Sequence, residues 1–292
     1  MEKAAPNISE KNLTEAIASI VEKINPFKII CFGFHSSSNK AWSCFQQDSE
    51  SSKFHYDLLI VRREKDKRKE IEIINKVENL CSEALSLFVI SHSELAIRKA
   101  LSVRDPFFLK VFREGITLYS SEDSNFDLES DNLSDDEISK RERIREREWT
   151  RSFELSEKFL ESGSDALGNH YNDLAVFLFH QAVEHCCIAL TKAYLGYRPS
   201  THNLARLLAL VGNFEPALRE VFPCNTQDEI ALFSVLRRAY TDVRYKENYK
   251  VPAHLAFTLL ERVSDVRDLV EGFYKEVVHL DKVASDLTET SQ

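Results

Sequence analysis

Glycine is scarce in this chain, 7 of 292 residues. That is too few for several glycine-rich phosphate loops and argues against a turn-dense all-β fold. A run of about 18 uncharged apolar residues is also missing, so no membrane-spanning helix is expected. The opening MEKAAPNISEKN lacks the apolar stretch of a secretory signal. The six cysteines include no C-x-x-C pair. Cys186 and Cys187 are adjacent and the rest are scattered, which reads as reduced thiols of a cytoplasmic protein, not a disulfide frame or a zinc site. A basic surplus is lacking too. The net charge is −9, residues 1–125 hold 18 basic and 18 acidic side chains, and the acidic excess therefore falls in the remainder. A strongly basic nucleic-acid surface is not the default, although a single basic cleft is compatible with that balance.

The chain is long enough for about two ordinary domains. Leu13, Ile17, Ile20, Val21 and Ile24 recur at helical spacing and predict a helix from Ser9 to Lys23, ended by Pro26. Lys28–Phe32 reads as a buried strand stopped by Gly33, and His35 to Lys53, with Ser36, Ser37 and Ser38, as an exposed loop. His55–Val61 is a second strand and Asp66–Glu83 a helix with Ile71, Ile74 and Leu80 inward. Leu85–Ile90 is a third strand. Ser93 and Asp105 cap short helices, and Gly115–Tyr119 is a last strand. This α+β unit spans 1–120. Residues 121–137 form an acidic, solvated linker.

A helical region follows over 138–285, with a disordered tail at 286–292. KRERIRERE (140–148) offers i,i+3 and i,i+4 ion pairs on a solvated helix, or an RNA-binding arm. Trp149, Phe153, Ser156 and Leu160 make a buried stripe. Tyr171–Tyr194 is apolar over a broad arc and should be the central helix of a bundle, ended by Gly196. Thr201 caps a helix from His202 to Val211, and Asp228–Val243 is another. After Pro252, Leu255, Leu259, Val263, Val266, Val270, Phe273 and Val277 form a long seam. Its length predicts a homodimer through the C-terminal half.

Strand, Gly33 with a serine-rich turn, then a strand carrying Asp57 resembles the polymerase-β-like nucleotidyltransferase fold over residues ~10–120. That resemblance implies backbone N–H groups of the turn near a nucleotide phosphate, and carboxylates two apart on one strand face holding Mg²⁺. Here the motif is degenerate. Gly33 is followed by Phe34 where the motif has Ser, with Ser36 further on. His55 stands where the first carboxylate belongs, beside Asp57, and the third strand offers no acid. Imidazole is a poor Mg²⁺ ligand, so ordinary two-metal chemistry is not expected. Asp57 alone reads equally as a turn cap or a partner for a nearby Lys.

Phe177–His185 (FLFHQAVEH), Gly196, Pro199, Thr201-His-Asn-Leu204 and Ala239–Tyr245 (AYTDVRY) resemble a HEPN domain over ~145–280. The resemblance implies a bundle of about five helices that dimerises and binds nucleotides or RNA. Many such domains are ribonucleases with an R-x(4–6)-H motif. Arg244 is the candidate arginine, but no His falls in that window, and Tyr249 is a poor general base at neutral pH. Arg244 either binds phosphate or pairs with a bundle acid such as Glu184. His180, Glu184 and His185 admit a metal reading, but His185 is turned by ~100° from the other two, so no metal is assigned. Gln181 and Glu184 line a polar pocket and His180 is an interior His. Arg237, Tyr240 and Arg244 share a helix face at i, i+3 and i+7, with Arg238, Tyr245 and Lys246 nearby. Arg suits phosphate and Tyr a base or ribose. No Ser-His-Asp or Cys-His set has a recognisable local context.

The expectation is an α+β protein in which a nucleotidyltransferase-like mixed sheet precedes an all-α HEPN bundle. It would bind a nucleotide or RNA in a toxin–antitoxin-like or defence setting. A nucleotide and, through the first resemblance, Mg²⁺ are the cofactors implied. Alternatives are a ribonuclease with a displaced set (Arg244 with His254 or His202), an active nucleotidyltransferase, and a structural dimerisation module.

Overall fold

The structure, a computed structural model, describes residues 11–43, 46–82, 84–122, 125–126 and 134–289. The chain divides into two units, 1–131 and 132–292, each around its own apolar cluster. The start of the first helix at Ser9, most of the expected linker, and residues 290–292 lie outside the described residues.

In the first unit α1 (Lys11–Ile24) buries Leu13, Ile20 and Ile24. β1 (Lys28–Ser43) and β2 (Gln46–Arg62) pair antiparallel. α2 (Glu70–Glu78) then crosses over to β3 (Leu85–Ser93), which lies parallel to β2, as a parallel pair requires. α3 (Glu94–Ser102) and α4 (Pro106–Glu114) lead to β4 (Ile116–Ser120), antiparallel to β1. The four strands run in the order β3-β2-β1-β4. The period of two sorts β2 between the faces. Tyr56, Leu58 and Ile60 enter the cluster formed with α1 and α2. Asp57, Leu59 and Val61 point to the opposite face and are equally buried. Ser93 Oγ accepts from the Ala96 amide and the Asp105 carboxylate from the Phe107 and Phe108 amides, as those caps predict. At Gly115 a Cβ would collide with the Val111 carbonyl and the Ile30 side chain, so only glycine lets α4 turn this closely into β4.

Three expectations need correction here. Gly33 does not stop the strand and no turn follows it: Gly33 pairs with Asp57 and Ser36 with Phe54 inside the hairpin, and a bulge between Cys31 and Gly33 absorbs the irregularity. The polar stretch 35–53 is therefore mostly paired strand. It lacks an apolar alternation, and its backbone is satisfied by the ladder instead. The helix expected from Asp66 starts at Glu70, because Asp66 Oδ1 accepts from the Arg68 amide (3.0 Å) and its carboxylate pairs with the Arg68 guanidinium (2.6 Å). That local turn competes with helix. The later start leaves Ile71 exposed and turns Ile73, Ile74 and Val77 inward.

The second unit is helical. α5 (Asp135–Gly168) begins with a capping box between Ser134 and Glu137, so residues 135–137 are helix rather than linker. Its charged start is mostly exposed, and Trp149, Phe153 and Ser156 are buried further along, with Leu160 half-buried. α6 (Asn172–Leu195) is the central helix. It is long and apolar enough to cross a membrane, but it is mostly buried within the bundle. It packs on α5, α7 (Leu204–Val211), α9 (Gln227–Tyr245) and α10 (Ala253–Glu289). α8 (Ala217–Glu220) is a single turn. Gly196 closes α6 in the left-handed region, φ 68°. The cap of α7 is Asn203, not Thr201: Asn203 Oδ1 accepts from the Ala205 amide, and Thr201 Oγ1 accepts from Asn203 N. Residues 286–289, expected in a disordered tail, continue α10.

The seam of α10 is also reassigned. Leu259, Val263, Val266 and Val270 are each 0% exposed within the single chain, and Leu255 and Phe273 pack against the same cluster. The α6-centred core uses that stripe, so it does not supply a face for a second copy. The side chain of Val277 lies outside the described residues.

Candidate functional site

The polar residues singled out in the bundle do not form one row. Asp242 is buried and holds two of the basic side chains, Arg238 at 3.1 Å and Lys246 at 2.8 Å. Burial raises the Asp242 pKa, but Lys246 and Arg238 outweigh it and hold the carboxyl below its ordinary value. The Arg237 guanidinium lies over Phe233, one turn back along α9. Gln181 is half-buried, and its Nε2 is buried without a hydrogen-bond partner. Tyr245 is 76% exposed.

What converges is Tyr240 with His180, His202, Glu184 and Arg244. The Arg244 guanidinium lies 4.1 Å from the Tyr240 ring centroid. The His202 ring stacks on Tyr240 at 4.9 Å and 13°, and the His180 ring at 5.4 Å and 25°. Tyr240 is thus a platform already covered by protein groups. A base stacking on Tyr240, as expected from the sequence, would have to displace one of them.

Behind this platform His202 Nδ1 donates to Glu184 Oε1 at 2.8 Å. His180 Nδ1 donates to the Leu236 carbonyl at 3.0 Å, which leaves Nε2 facing Glu184 Oε2 at 3.7 Å. That separation is too long for a hydrogen bond, and both atoms are buried without a partner. Burial pushes the Glu184 carboxyl up, but His180 and His202 outweigh it, and its pKa lies below the usual value. Glu184 is therefore one of the bundle's ion-pairing acids, but its partner is His202 rather than Arg244. Arg244 Nε donates to the Tyr240 carbonyl at 2.7 Å, and no carboxylate pairs with its guanidinium among the described residues. His185 is turned away and stacks on Phe159. Burial pulls its pKa down.

His202, named with Arg244 in the displaced-set alternative, lies just ahead of α7; its contacts with Glu184 and the Tyr240 ring are what spacing alone does not show. His254 lies in the first turn of α10, where its carbonyl accepts from Thr258 Oγ1.

In the first unit His55 and Asp57 do share one face of β2, as their spacing requires. His55 Nε2 donates to Asp57 Oδ1 at 3.1 Å, and Ser86 Oγ lies 3.1 Å from His55 Nδ1. The parallel register sets Ser86 directly beside His55. Mg²⁺ does not fit this donor set: one carboxylate oxygen is taken by an imidazole, and the flanking positions offer imidazole and hydroxyl instead of carboxylates. Among the described residues no cluster of three His, Cys, Asp or Glu side chains is arranged to hold a metal ion. The described cysteines are free thiols. Burial pushes Cys31 up to about 11 and Cys186 up to about 12, so neither is a thiolate at neutral pH.

The protein-family model described as "HEPN domain" matches residues 149–279. Among solved structures, an archaeal HEPN homologue is 19% identical at a TM-score of 0.31, covering 43% of this chain and 97% of its own. A protein from Thermus thermophilus is 23% identical at 0.32, covering 44% and 98%. A nucleotidyltransferase-like protein from Exiguobacterium sibiricum is 13% identical at 0.29, covering 91% and 79%. No curated protein matches the chain. The family match runs from Trp149 in α5 into α10, so the C-terminal bundle is similar to HEPN domains over that stretch.

Proposed function

We propose that the HEPN bundle binds a phosphate-bearing ligand, a nucleotide or an RNA strand, at the surface formed by Arg244, His202 and Tyr240. One observation carries this reading. The Arg244 guanidinium and the His202 imidazole lie within 5 Å of the same ring centroid, at 4.1 Å and 4.9 Å, while Arg238 and Lys246 are committed to Asp242. Glu184 fixes His202 through Nδ1, and the side chain is 59% exposed, so Nε2 is turned to the ligand side. A planar guanidinium suits phosphate oxygens, and His202 Nε2 adds a second donor when the imidazole is protonated. The binding groups are Arg244 and His202, with Tyr240 holding both and Glu184 behind them. Gln181 and Arg237 take no direct part.

The test is titration of the full chain with labelled single-stranded RNA and with nucleoside triphosphates over a range of salt. Affinity should fall as salt rises. Arg244→Ala should weaken binding by about 1.5–3 kcal/mol, the scale of a charge-assisted hydrogen bond. Unaltered binding by folded Arg244→Ala would refute the assignment.

A second reading is favoured by the same contact between Glu184 and His202. A carboxylate-backed imidazole beside Arg244 is a displaced acid–base set for RNA cleavage. Cleavage of RNA by the full chain, reduced in His202→Ala by far more than binding is weakened, would distinguish it. A toxin–antitoxin-like setting and self-association through the C-terminal half rest on the family resemblance, not on the α10 seam.

A further inference from the structure

The face of β2 that carries Asp57 holds a second set of reactive groups. Asp57, His55 and Ser86 form an unbroken hydrogen-bonded chain, with both links at 3.1 Å. Burial is graded along it. Asp57 is fully buried, the His55 side chain is 18% exposed, and Ser86 is exposed. The tautomer is fixed by chemistry: the carboxylate can only accept, so Nε2 carries the proton and Nδ1 is the lone pair that faces Ser86 Oγ.

This is the polarity of an activated serine, with the orienting acid inside, the base between, and the hydroxyl at the surface. A purely structural tie would not need that order, because an exposed Ser–His bond adds little to stability. The arrangement also keeps Asp57 Oδ2 buried with no hydrogen-bond partner. His35 pairs with His55 across the β1–β2 ladder, its ring 4.5 Å away. That sets His35, His55 and Ser86 in one row across three strands, with His55 in the middle and the second imidazole on its far side from Ser86.

We propose that Ser86 is a nucleophile that accepts acyl groups from carboxylic esters, with His55 as general base and Asp57 as its positioning residue. Ser86 Oγ bonds to the ester carbonyl carbon while its proton passes to His55 Nδ1. The carbon–alkoxy bond breaks, and the alkoxide leaves with that proton as the alcohol. Water then adds to the acyl-Ser86 carbonyl, again giving a proton to His55. The Oγ–carbon bond breaks, Ser86 recovers its proton, and the carboxylic acid departs. The step consumes only ester and water. It is independent of the ligand reading for the HEPN bundle. Cys31, the buried thiol nearby on β1, donates to the Gly33 carbonyl at 3.2 Å and is not a rival nucleophile.

The experiment is labelling of the full chain with an alkyl fluorophosphonate, in which Oγ bonds to phosphorus and fluoride leaves, mapped by peptide mass spectrometry. Ser86 should label faster than exposed Ser102 of α3, and more slowly as the solution is acidified. His55→Gln should slow it roughly 100-fold or more with the circular dichroism spectrum unchanged. A burst of nitrophenol from p-nitrophenyl acetate should accompany labelling and vanish in Ser86→Ala. Labelling of Ser86 no faster than Ser102 in the wild-type chain, or an unchanged rate in folded His55→Gln, would overturn the proposal. If His55→Gln does not fold, the wild-type acid dependence decides: a flat rate overturns it.

Discussion

Glu184 Oε1 and His202 Nδ1, on α6 and just ahead of α7, stand 2.8 Å apart across the bundle. The carboxylate is buried, and the imidazole it holds is an exposed polar group on the Tyr240 platform. The fold thus commits a buried acid to orienting one surface histidine.

Removing that acid should be felt in stability and in its pH dependence. Glu184→Ala leaves His202 without its acid and should cost about 1–3 kcal/mol, read by urea denaturation. The folded pKa of Glu184 lies below its usual value, so its contribution is fully present above the ordinary carboxylate pKa of about 4.3 and fades as pH falls through the lower folded value. Glu184→Gln should flatten that part of the acid-side stability profile. A profile identical to wild type would show that the carboxylate is not held as described.

The basic residues of α9 should separate by role. Arg237→Ala, whose guanidinium sits over Phe233, should change RNA or nucleotide affinity by less than about 0.5 kcal/mol. Arg238→Ala should lower stability through Asp242 rather than affinity. Calorimetric titration of each variant checks this, and a large affinity loss in Arg237→Ala would contradict it.

Those distinctions could not be read from spacing. Arg237, Tyr240 and Arg244 share a helix face in sequence, but which arginine meets the platform depends on where Phe233, Asp242 and His202 lie. The caps at Ser93 and Asp105 and the end at Gly196 were legible because each acts within a few residues. The central position of α6 was legible from its broad apolar arc. The long hairpin of β1 and β2 was not, because residues 35–53 carry no alternation and their pairing is backbone to backbone. Likewise Ser86 meets His55 only through the parallel register of β3, set by a crossover with no local signature.

The α10 seam should behave as core. Leu259→Ala, at 0% exposure, should cost about 2–5 kcal/mol in denaturant unfolding, with the oligomeric state by light scattering unchanged in the folded protein. Loss of association without loss of stability would return the seam to an interface.

Two glycines should respond with opposite sign. Gly196→Ala forces a side chain into φ 68° and should destabilise by about 1–2 kcal/mol. Gly272→Ala lies inside α10 where an added Cβ meets nothing within 4 Å, and it should stabilise by about 0.5–1 kcal/mol. Thermal melts of the two variants give the comparison.

The ligand site itself is tested most directly by photocrosslinking. The full chain would be irradiated with 4-thiouridine-labelled single-stranded RNA and, separately, with an 8-azidoadenosine triphosphate, and crosslinked peptides mapped by mass spectrometry. The predicted result is crosslinks in the segments around His202 and around Arg244, competed by unlabelled ligand and lost in Arg244→Ala. Competed crosslinks confined to other segments, with these two unmodified, would contradict the proposed site.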